Sequence, residues 1–505
     1  MRPALALAAL AFLLHIIVNF VTPYGFHRDE FLYLAMARHL DLWAMDFPPF
    51  IALAGLATLE SLGGSLVAVR FLPAVAAAII VLLTVLATRR LGGGTLAQLT
   101  AGLAVGLSPV FLRSGSLFQP VVFDQLWWTA ALLTLLHLGR LEPSDREASR
   151  GWLVLGAVLG LGLLTKFSIA FIGVGITAAV LLTPLRRQLL TPWPWLALLV
   201  ALAIGSPSVV GQWRLDFPVV SQMQDLQTEQ LDRITPLGFL LGQWDNFNLM
   251  LLLALAGLAH ILRGRDRAVG LATLVTFVLV MLLRGKPYYV APIFPVLFAA
   301  GAVAVELLAA RLLSTSTRVA LRWAPIAVIL AFGVIAFPIG VPILAPEQLS
   351  AWTSAIGATS TTNTGEVISL PQDFADMMGW EDQVDATARA WATLTPAEQR
   401  EAVILGTNYG RAGAHDHLGT ALGMPPAIAP VGSYWYWGPG PLPGRVMIVI
   451  GLNQEDMETS FDSVTLAERV TGEWRVPEER DVPIWIGREP HRTLQELWPD
   501  FEGQH

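Results

Sequence analysis

The 505-residue chain contains no cysteine, which excludes disulfide bonds, thiolate chemistry and cysteine metal ligands and leaves the compartment unreadable from thiol usage. Charge is nearly as scarce. Only 14% of residues are Asp, Glu, Lys or Arg, against about 25% in soluble proteins. With 54% apolar residues, an ordinary soluble domain is excluded and a polytopic membrane protein is implied. Lysine is almost missing too: of 32 basic residues all but Lys166 and Lys286 are arginine. In so arginine-biased a chain a surviving lysine hints at a chemical need. Internal repeats, low-complexity segments, GxGxxG loops and spaced metal-ligand motifs such as HExxH are also lacking.

What the chain has is apolar runs. A spanning helix needs about 20 predominantly apolar residues. Eleven candidates stand out, at about 4–22, 67–88, 95–112, 123–139, 152–165, 167–183, 193–210, 244–262, 268–283, 290–310 and 323–345. The first has no small-residue cleavage site after it and reads as a retained span, not a signal peptide. Arginines at 2, 89–90, 140–150, 186–187, 263–267 and 311–322 fall in every second gap, which the positive-inside rule makes cytoplasmic. The gaps 23–66, 113–122, Lys166, 211–243 and 284–289 then face outside. An odd number of spans places the N-terminus in the cytoplasm and delivers residues 346–505 to the outer side.

That tail turns polar and alternates helix with strand. Gln383–Thr393 and Pro396–Arg400 read as helices. Ala402–Gly406, Arg445–Gly451 and Ile484–Gly487 read as strands. The expected architecture is a polytopic α-helical bundle of about eleven spans (residues 1–345) followed by a separate small extracytoplasmic α/β domain (residues 346–505).

The outer gaps hold the unusual residues. His27-Arg28-Asp29-Glu30 opens the first. Adjacent residues cannot share a helix face, so at most one of the two acids enters a given cavity. A membrane-boundary carboxylate facing the protein interior is functional by default. The bland reading is a helix cap at Asp29 for a helix over Glu30–His39 that is amphipathic enough to lie along the interface. The loop continues with Arg38-His39 and Asp46-Phe47-Pro48-Pro49, the prolines fixing an extended turn. Asp124 is a lone carboxylate beside Trp127-Trp128, as apt for a cap as for a site. Arg284-Gly285-Lys286-Pro287-Tyr288-Tyr289 sets two cations and two phenols at one boundary, suited to hold a phosphate or, more blandly, to anchor a span. Lys166 allows the same two readings. His15 and Asn19 share a face and suit an interhelical hydrogen bond. His415-Asp416-His417 is a conceivable ligand pair, with a surface or cap role favoured.

Together these residues carry a resemblance. The acidic pair in the first outer loop, the following Asp46-Phe47-Pro48-Pro49, Asp124-Gln125-Leu126-Trp127-Trp128, and Gly285-Lys286-Pro287-Tyr288-Tyr289 with Pro292 and Pro295 are similar to the C-type (GT-C) membrane glycosyltransferases. Within these the chain resembles bacterial family 39 enzymes, relatives of protein O-mannosyltransferases and lipid A aminoarabinose transferases. The tail's Gly406–Ala414 and Ser433–Gly438 fit the outer domain of bacterial members. The resemblance implies inverting transfer of a sugar from a polyprenyl-phosphate donor to an acceptor lipid, glycan or protein at the outer face of the bacterial cytoplasmic membrane. It implies Asp29 as general base, supported by Glu30. Lys286 and Arg284, with Tyr288 and Tyr289, would hold the phosphate. Asp124, Lys166, Arg28, His27 and Asp46 are further site candidates. One departure is Phe47, where many relatives carry His or Lys before Pro-Pro.

Physical chemistry points the same way, because displacing a phosphate from an anomeric carbon needs a base on one side and cations on the other. Clustered carboxylates at a phosphate site can recruit a divalent metal, though no spacing here demands one. Two other classes stay open. A transporter or lipid flippase would use Asp29, Asp124 and Lys166 for coupling, but usually with midplane charges and inverted repeats. A glycan-binding scaffold would use Tyr434, Trp435, Tyr436 and Trp437.

Overall fold

The computed structural model describes residues 2–311 and 315–503. Seven helices are long and apolar enough to cross a membrane, and three bent pairs bring the number to ten. Each of the eleven expected runs forms helix, the eleventh beyond these ten being a shorter apolar one. Arg267–Leu282 has only 16 residues, a rise of about 24 Å. The bent pairs break at identifiable places. Thr95–Gly106 and Pro109–Gly115 meet at 64° around Pro109, and Pro236–Phe247 and Met250–Arg263 meet at 111°, where Asn248 adopts a positive φ of 52°. The short run expected at 152–165 belongs to a full helix, Arg146–Thr165.

Burial separates the centre of the bundle from its rim. The apolar window of Pro120–Leu138 is 72% buried, whereas that of Thr315–Gly340 is 22% buried. The helix carrying Asp124 is therefore central, and the last span shows most of its surface to its surroundings. At the arginine-rich end Arg140 forks onto Asp266 at 2.8 and 2.7 Å.

The first loop holds two helices, Arg28–Arg38 and Phe50–Ser61. Arg28–Arg38 does not lie on a surface. Seven of its 11 residues, from Glu30 through Ala37, are buried, because the helix is sandwiched between the bundle and Tyr409–Leu418 of the C-terminal region. Gly413 makes that approach: a Cβ there would sit 2.8 Å from Phe31 Cβ and 3.0 Å from its carbonyl carbon. Gly413→Ala is expected to cost about 1–3 kcal/mol of stability by overpacking, read as a lower thermal midpoint in detergent.

The C-terminal region contains a two-stranded ribbon, β1 (Ser360–Thr361) and β2 (Val367–Ile368), and a five-stranded sheet. The sheet comprises β3 (Ala402–Gly406), β4 (Ala427–Ile428), β5 (Val446–Ile450), β6 (Phe461–Thr471) and β7 (Asp481–Pro490), in the order β4-β3-β5-β7-β6. β3 pairs in parallel with β4 and β5, and the β5–β7 and β7–β6 pairs are antiparallel. The expected strands at 402–406, 445–451 and 484–487 are present, the last within a longer strand. β4 and β6 add to them. The helix expected at Gln383–Thr393 spans Trp380–Ala392.

The sheet domain is not a free appendage. One apolar core runs from the bundle through Phe31 and Leu34 into Ile404 and Ile448. Polar ties reinforce it. Arg38 Nη1 donates to the Asp416 carbonyl at 2.7 Å, His417 Nε2 bonds the Gly64 carbonyl at 2.8 Å, and His39 stacks on Trp437 with ring centroids 4.1 Å apart.

Candidate active site

The charged tetrad is organised by a cap. His27, not Asp29, is the N-cap of Arg28–Arg38. Its Nδ1 accepts from the Asp29 amide at 3.1 Å, while the Glu30 carboxylate accepts from the His27 amide at 2.8 Å. With Nδ1 accepting, the proton of a neutral ring sits on Nε2, which faces Asp376 at 3.8 Å and Asp373 at 4.0 Å.

The two adjacent acids separate as the helix demands. Glu30 is fully buried, and four donors fill its carboxylate. Arg70 Nε and Nη2 lie at 2.9 and 2.8 Å, the Phe118 amide at 2.8 Å and the His27 amide at 2.8 Å. Burial alone would raise its pKa, but the Arg70 ion pair and these hydrogen bonds hold it below the usual carboxylate value. A carboxylate so saturated has no lone pair for a substrate, which leaves Glu30 the supporting part of the roles expected for it. Asp29 keeps 28% of its side chain exposed. It accepts one bond on each oxygen, from Gln119 Nε2 and from the Tyr409 hydroxyl, both at 3.0 Å.

The cations gather nearby, with one exception. Lys286 Nζ donates to Asn363 Oδ1 at 3.1 Å and lies within electrostatic reach of Asp29, Asp373 and Lys166. Burial, then repulsion from Lys166, pulls its pKa down to about 8. Lys166 Nζ lies 4.8 Å from the Tyr289 ring centre and 5.9 Å from that of Tyr288, a cation–π arrangement. Tyr288 in turn is within reach of Asp373 and Tyr33. Arg284 points elsewhere: about half exposed, it pairs with Asp232 at 3.2 Å. A strained φ of 55° at Arg284 turns the chain between it and Lys286, so the two cations serve different neighbours.

The remaining candidates have structural partners. Asp124 is buried and accepts from Trp128 Nε1 at 3.0 Å and Ser168 Oγ at 2.8 Å, with Lys166 close enough to act on its charge. Arg28 pairs with Asp376 at 3.5 Å and Glu478 at 2.8 Å. Asp46 is buried beneath Ser433, whose hydroxyl lies 2.8 Å from both carboxylate oxygens. Burial lifts its pKa to about 6 against the opposing pull of that hydrogen bond. His415 and His417 are a buried partner of the Arg411 carbonyl and a domain tie, not surface residues. His15 bonds Ser116 between helices at 3.0 Å.

The structure adds residues that sequence reasoning missed: Arg70, Gln119, Tyr409, and Asp373 and Asp376 of the segment after the last span. Arg113 pairs with Asp373 at 3.3 Å. Arg70 alone carried a usable signal, as the one charged residue inside the apolar run 67–88. The segment 372–378 has no motif. Among the described residues, no group of three or more His, Asp or Glu side chains is placed to hold a metal ion.

Residues 46–210 match the sequence profile of the dolichyl-phosphate-mannose-protein mannosyltransferase family. No curated protein sequence matches the chain. The structure is similar to ArnT from Cupriavidus metallidurans at 16% identity, covering 95% of this chain and 97% of that one, with a TM-score of 0.60 in the apo state and 0.61 with bound undecaprenyl phosphate. It is also similar to the Archaeoglobus fulgidus oligosaccharyltransferase AglB, solved with an inhibitory peptide and a dolichol phosphate. That match has 13% identity, a TM-score of 0.52 and coverage of 90% and 70% of the two chains. A multi-pass helical bundle capped by a small C-terminal sheet domain is thus a fold this chain shares with ArnT and AglB.

Proposed function

We propose that this protein is an inverting glycosyltransferase that moves a sugar from a polyprenyl-phosphate donor to an acceptor hydroxyl or amine. The observation that carries the reading is the pairing of one accessible carboxylate, Asp29, with Lys286 held within electrostatic reach of it and Lys166 close behind Lys286. Asp29 takes the acceptor proton as the acceptor oxygen or nitrogen attacks the anomeric carbon. The bond from that carbon to the phosphate oxygen breaks on the opposite side. The departing phosphate gathers charge, which Lys286, Lys166 and the Tyr288 and Tyr289 phenols are suited to receive. A phosphate leaves without needing a proton, so a second acid, as in many hydrolases, is not required. Glu30 and His27 hold the base's helix in place. Asp124, with Ser168, steadies the Lys166 turn.

Structures of similar fold that hold undecaprenyl phosphate and dolichol phosphate support the donor class. The arginine pattern supports a bacterial cytoplasmic membrane location with the N-terminus inside and the domain over residues 346–505 outside.

The test is release of polyprenyl phosphate from a panel of radiolabelled polyprenyl-phosphate sugars, with a crude envelope acceptor, by wild type and Asp29→Asn in detergent. Turnover that depends on Asp29 supports the transferase and names the sugar. A folded protein that turns over none of them, yet moves labelled lipid or ions across vesicles, is a transporter. Lys286 gives a separate check. Its Lys286→Met variant is expected to bind polyprenyl phosphate about tenfold more weakly, one charge-assisted contact being worth roughly 1.5–3 kcal/mol. Because the pKa of Lys286 lies near 8, wild-type binding should weaken as pH rises through that value, while the variant should not follow. Titration calorimetry across a pH series on both sides of that value would show either pattern.

A further inference from the structure

Asp29 is held from both halves of the molecule. Gln119, at the head of the span Pro120–Leu138, donates to Oδ2, and Tyr409, the first residue of the sheet-domain helix Tyr409–Leu418, donates to Oδ1. The Tyr409 hydroxyl sits where it does by construction. Asn408 caps its helix by accepting from the Arg411 amide at 2.9 Å and donates to Glu479 Oε1 at 2.9 Å. Glu479 is fully buried and also receives Arg411 Nε at 3.1 Å. The Arg28 guanidinium lies 5.7 Å from the Tyr409 ring centre and is itself fixed by Glu478 at 2.8 Å. Burial, then the neighbouring Asp29 charge, raises the Tyr409 phenol far above its ordinary value, so it stays a donor throughout the working range.

We infer that Tyr409 is a positioning residue for the transfer reaction, its hydroxyl fixing the plane of the Asp29 carboxyl group so that a free lone pair turns toward the acceptor. This rests on the reading of Asp29 as the base. A carboxylate offers about four acceptor positions. One bond on each oxygen fixes the group's plane and leaves room for the incoming O–H or N–H. Tyr409 makes and breaks no covalent bond and passes no proton. A rival role has the opposite sign: a phenol donating at 3.0 Å also mimics an acceptor hydroxyl, and a mere place-holder would have to leave before substrate binds.

The test uses the full-length protein in detergent and follows donor turnover against pH for wild type, Asp29→Asn, Tyr409→Phe, Gln119→Leu and a protein carrying 3-fluorotyrosine at position 409. Tyr409→Phe keeps the ring and its contact with Arg28. It is expected to lower kcat about tenfold with the donor KM unchanged. The acid limb should move up by roughly one pH unit, as loss of a hydrogen bond to a charged group implies. Gln119→Leu should move the limb the same way from the other oxygen. Fluorotyrosine, a stronger donor, should move it down, which a purely structural role would not do. A wild-type acid limb in Tyr409→Phe, with Asp29→Asn inactive, overturns the inference and leaves the base assignment standing. A lower acceptor KM with undiminished kcat makes Tyr409 a place-holder and also overturns it. Wild-type turnover by Asp29→Asn removes the base assignment itself, and this inference with it.

Discussion

Asp29→Asn is expected to cut donor turnover by about 10²–10⁴-fold, the usual contribution of a positioned general base, while leaving polyprenyl phosphate binding within about twofold of wild type. The split follows from the geometry. The substituted amide would fill the same volume and keep a carbonyl oxygen for one of the two donors at 3.0 Å, so the loop should hold its shape. What disappears is the anionic lone pair that takes the acceptor proton. The groups proposed to receive the phosphate, Lys286 and Lys166, are carried on separate elements and are untouched. The check pairs single-turnover kinetics with equilibrium binding of polyprenyl phosphate. Loss of binding in step with turnover would mean that Asp29 shapes the donor pocket instead.

The second large effect is on stability. Arg70→Met should destabilise the protein by about 3–5 kcal/mol, because removing one partner of a buried ion pair strands the other charge. Both side chains are fully buried, so water cannot replace the lost guanidinium. Arg70 also donates to the Gly25 carbonyl at 3.0 Å, so its loss frees the approach to the His27 cap as well. Glu30→Gln should cost less, since an amide oxygen still receives two of the four donors. A double variant, Arg70→Met with Glu30→Leu, removes both charges and should recover most of the loss. Chemical denaturation in mixed micelles measures all three, and equal losses for the single and double variants would contradict an ion-pair origin.

Much of this was legible in the sequence because the relevant signals are local. Apolar length gave the helices of the bundle, and the Asp29-Glu30 pair and Lys286 stood out against an apolar, lysine-poor background. The strands at 402–406 and 445–451 were readable because they are buried in the middle of the sheet and almost continuously apolar. β6 was not: it is an edge strand that buries only Phe461 and Val470 and leaves the rest of Phe461–Thr471 exposed or half-buried without a regular period, the polar surface that edges use to avoid unwanted pairing. Arg284 was misplaced because sequence proximity to Lys286 says nothing about a backbone that turns through positive φ between them. The roles of Gln119, Asp373 and Tyr409 arise from contacts over 90 or more positions, and no spacing rule reaches so far. Apolar content did not report the 16-residue length at which Arg267–Leu282 stops.

The tie between Asp29 and Tyr409 joins residues 380 positions apart, and this has a consequence in time. At synthesis rates of about 5–20 residues per second, Asp29 leaves the ribosome roughly 20–80 s before the residue that steadies it. The bundle's first helices are therefore in place long before the carboxylate has its second anchor. A ribosome that stalls at about codon 455 leaves a chain with every lysine and acid of the bundle but without β6 and β7 to hold the Tyr409 helix. Such an unfinished product carries these groups without their arrangement, so the proposed site is assembled only once the sheet domain has been made.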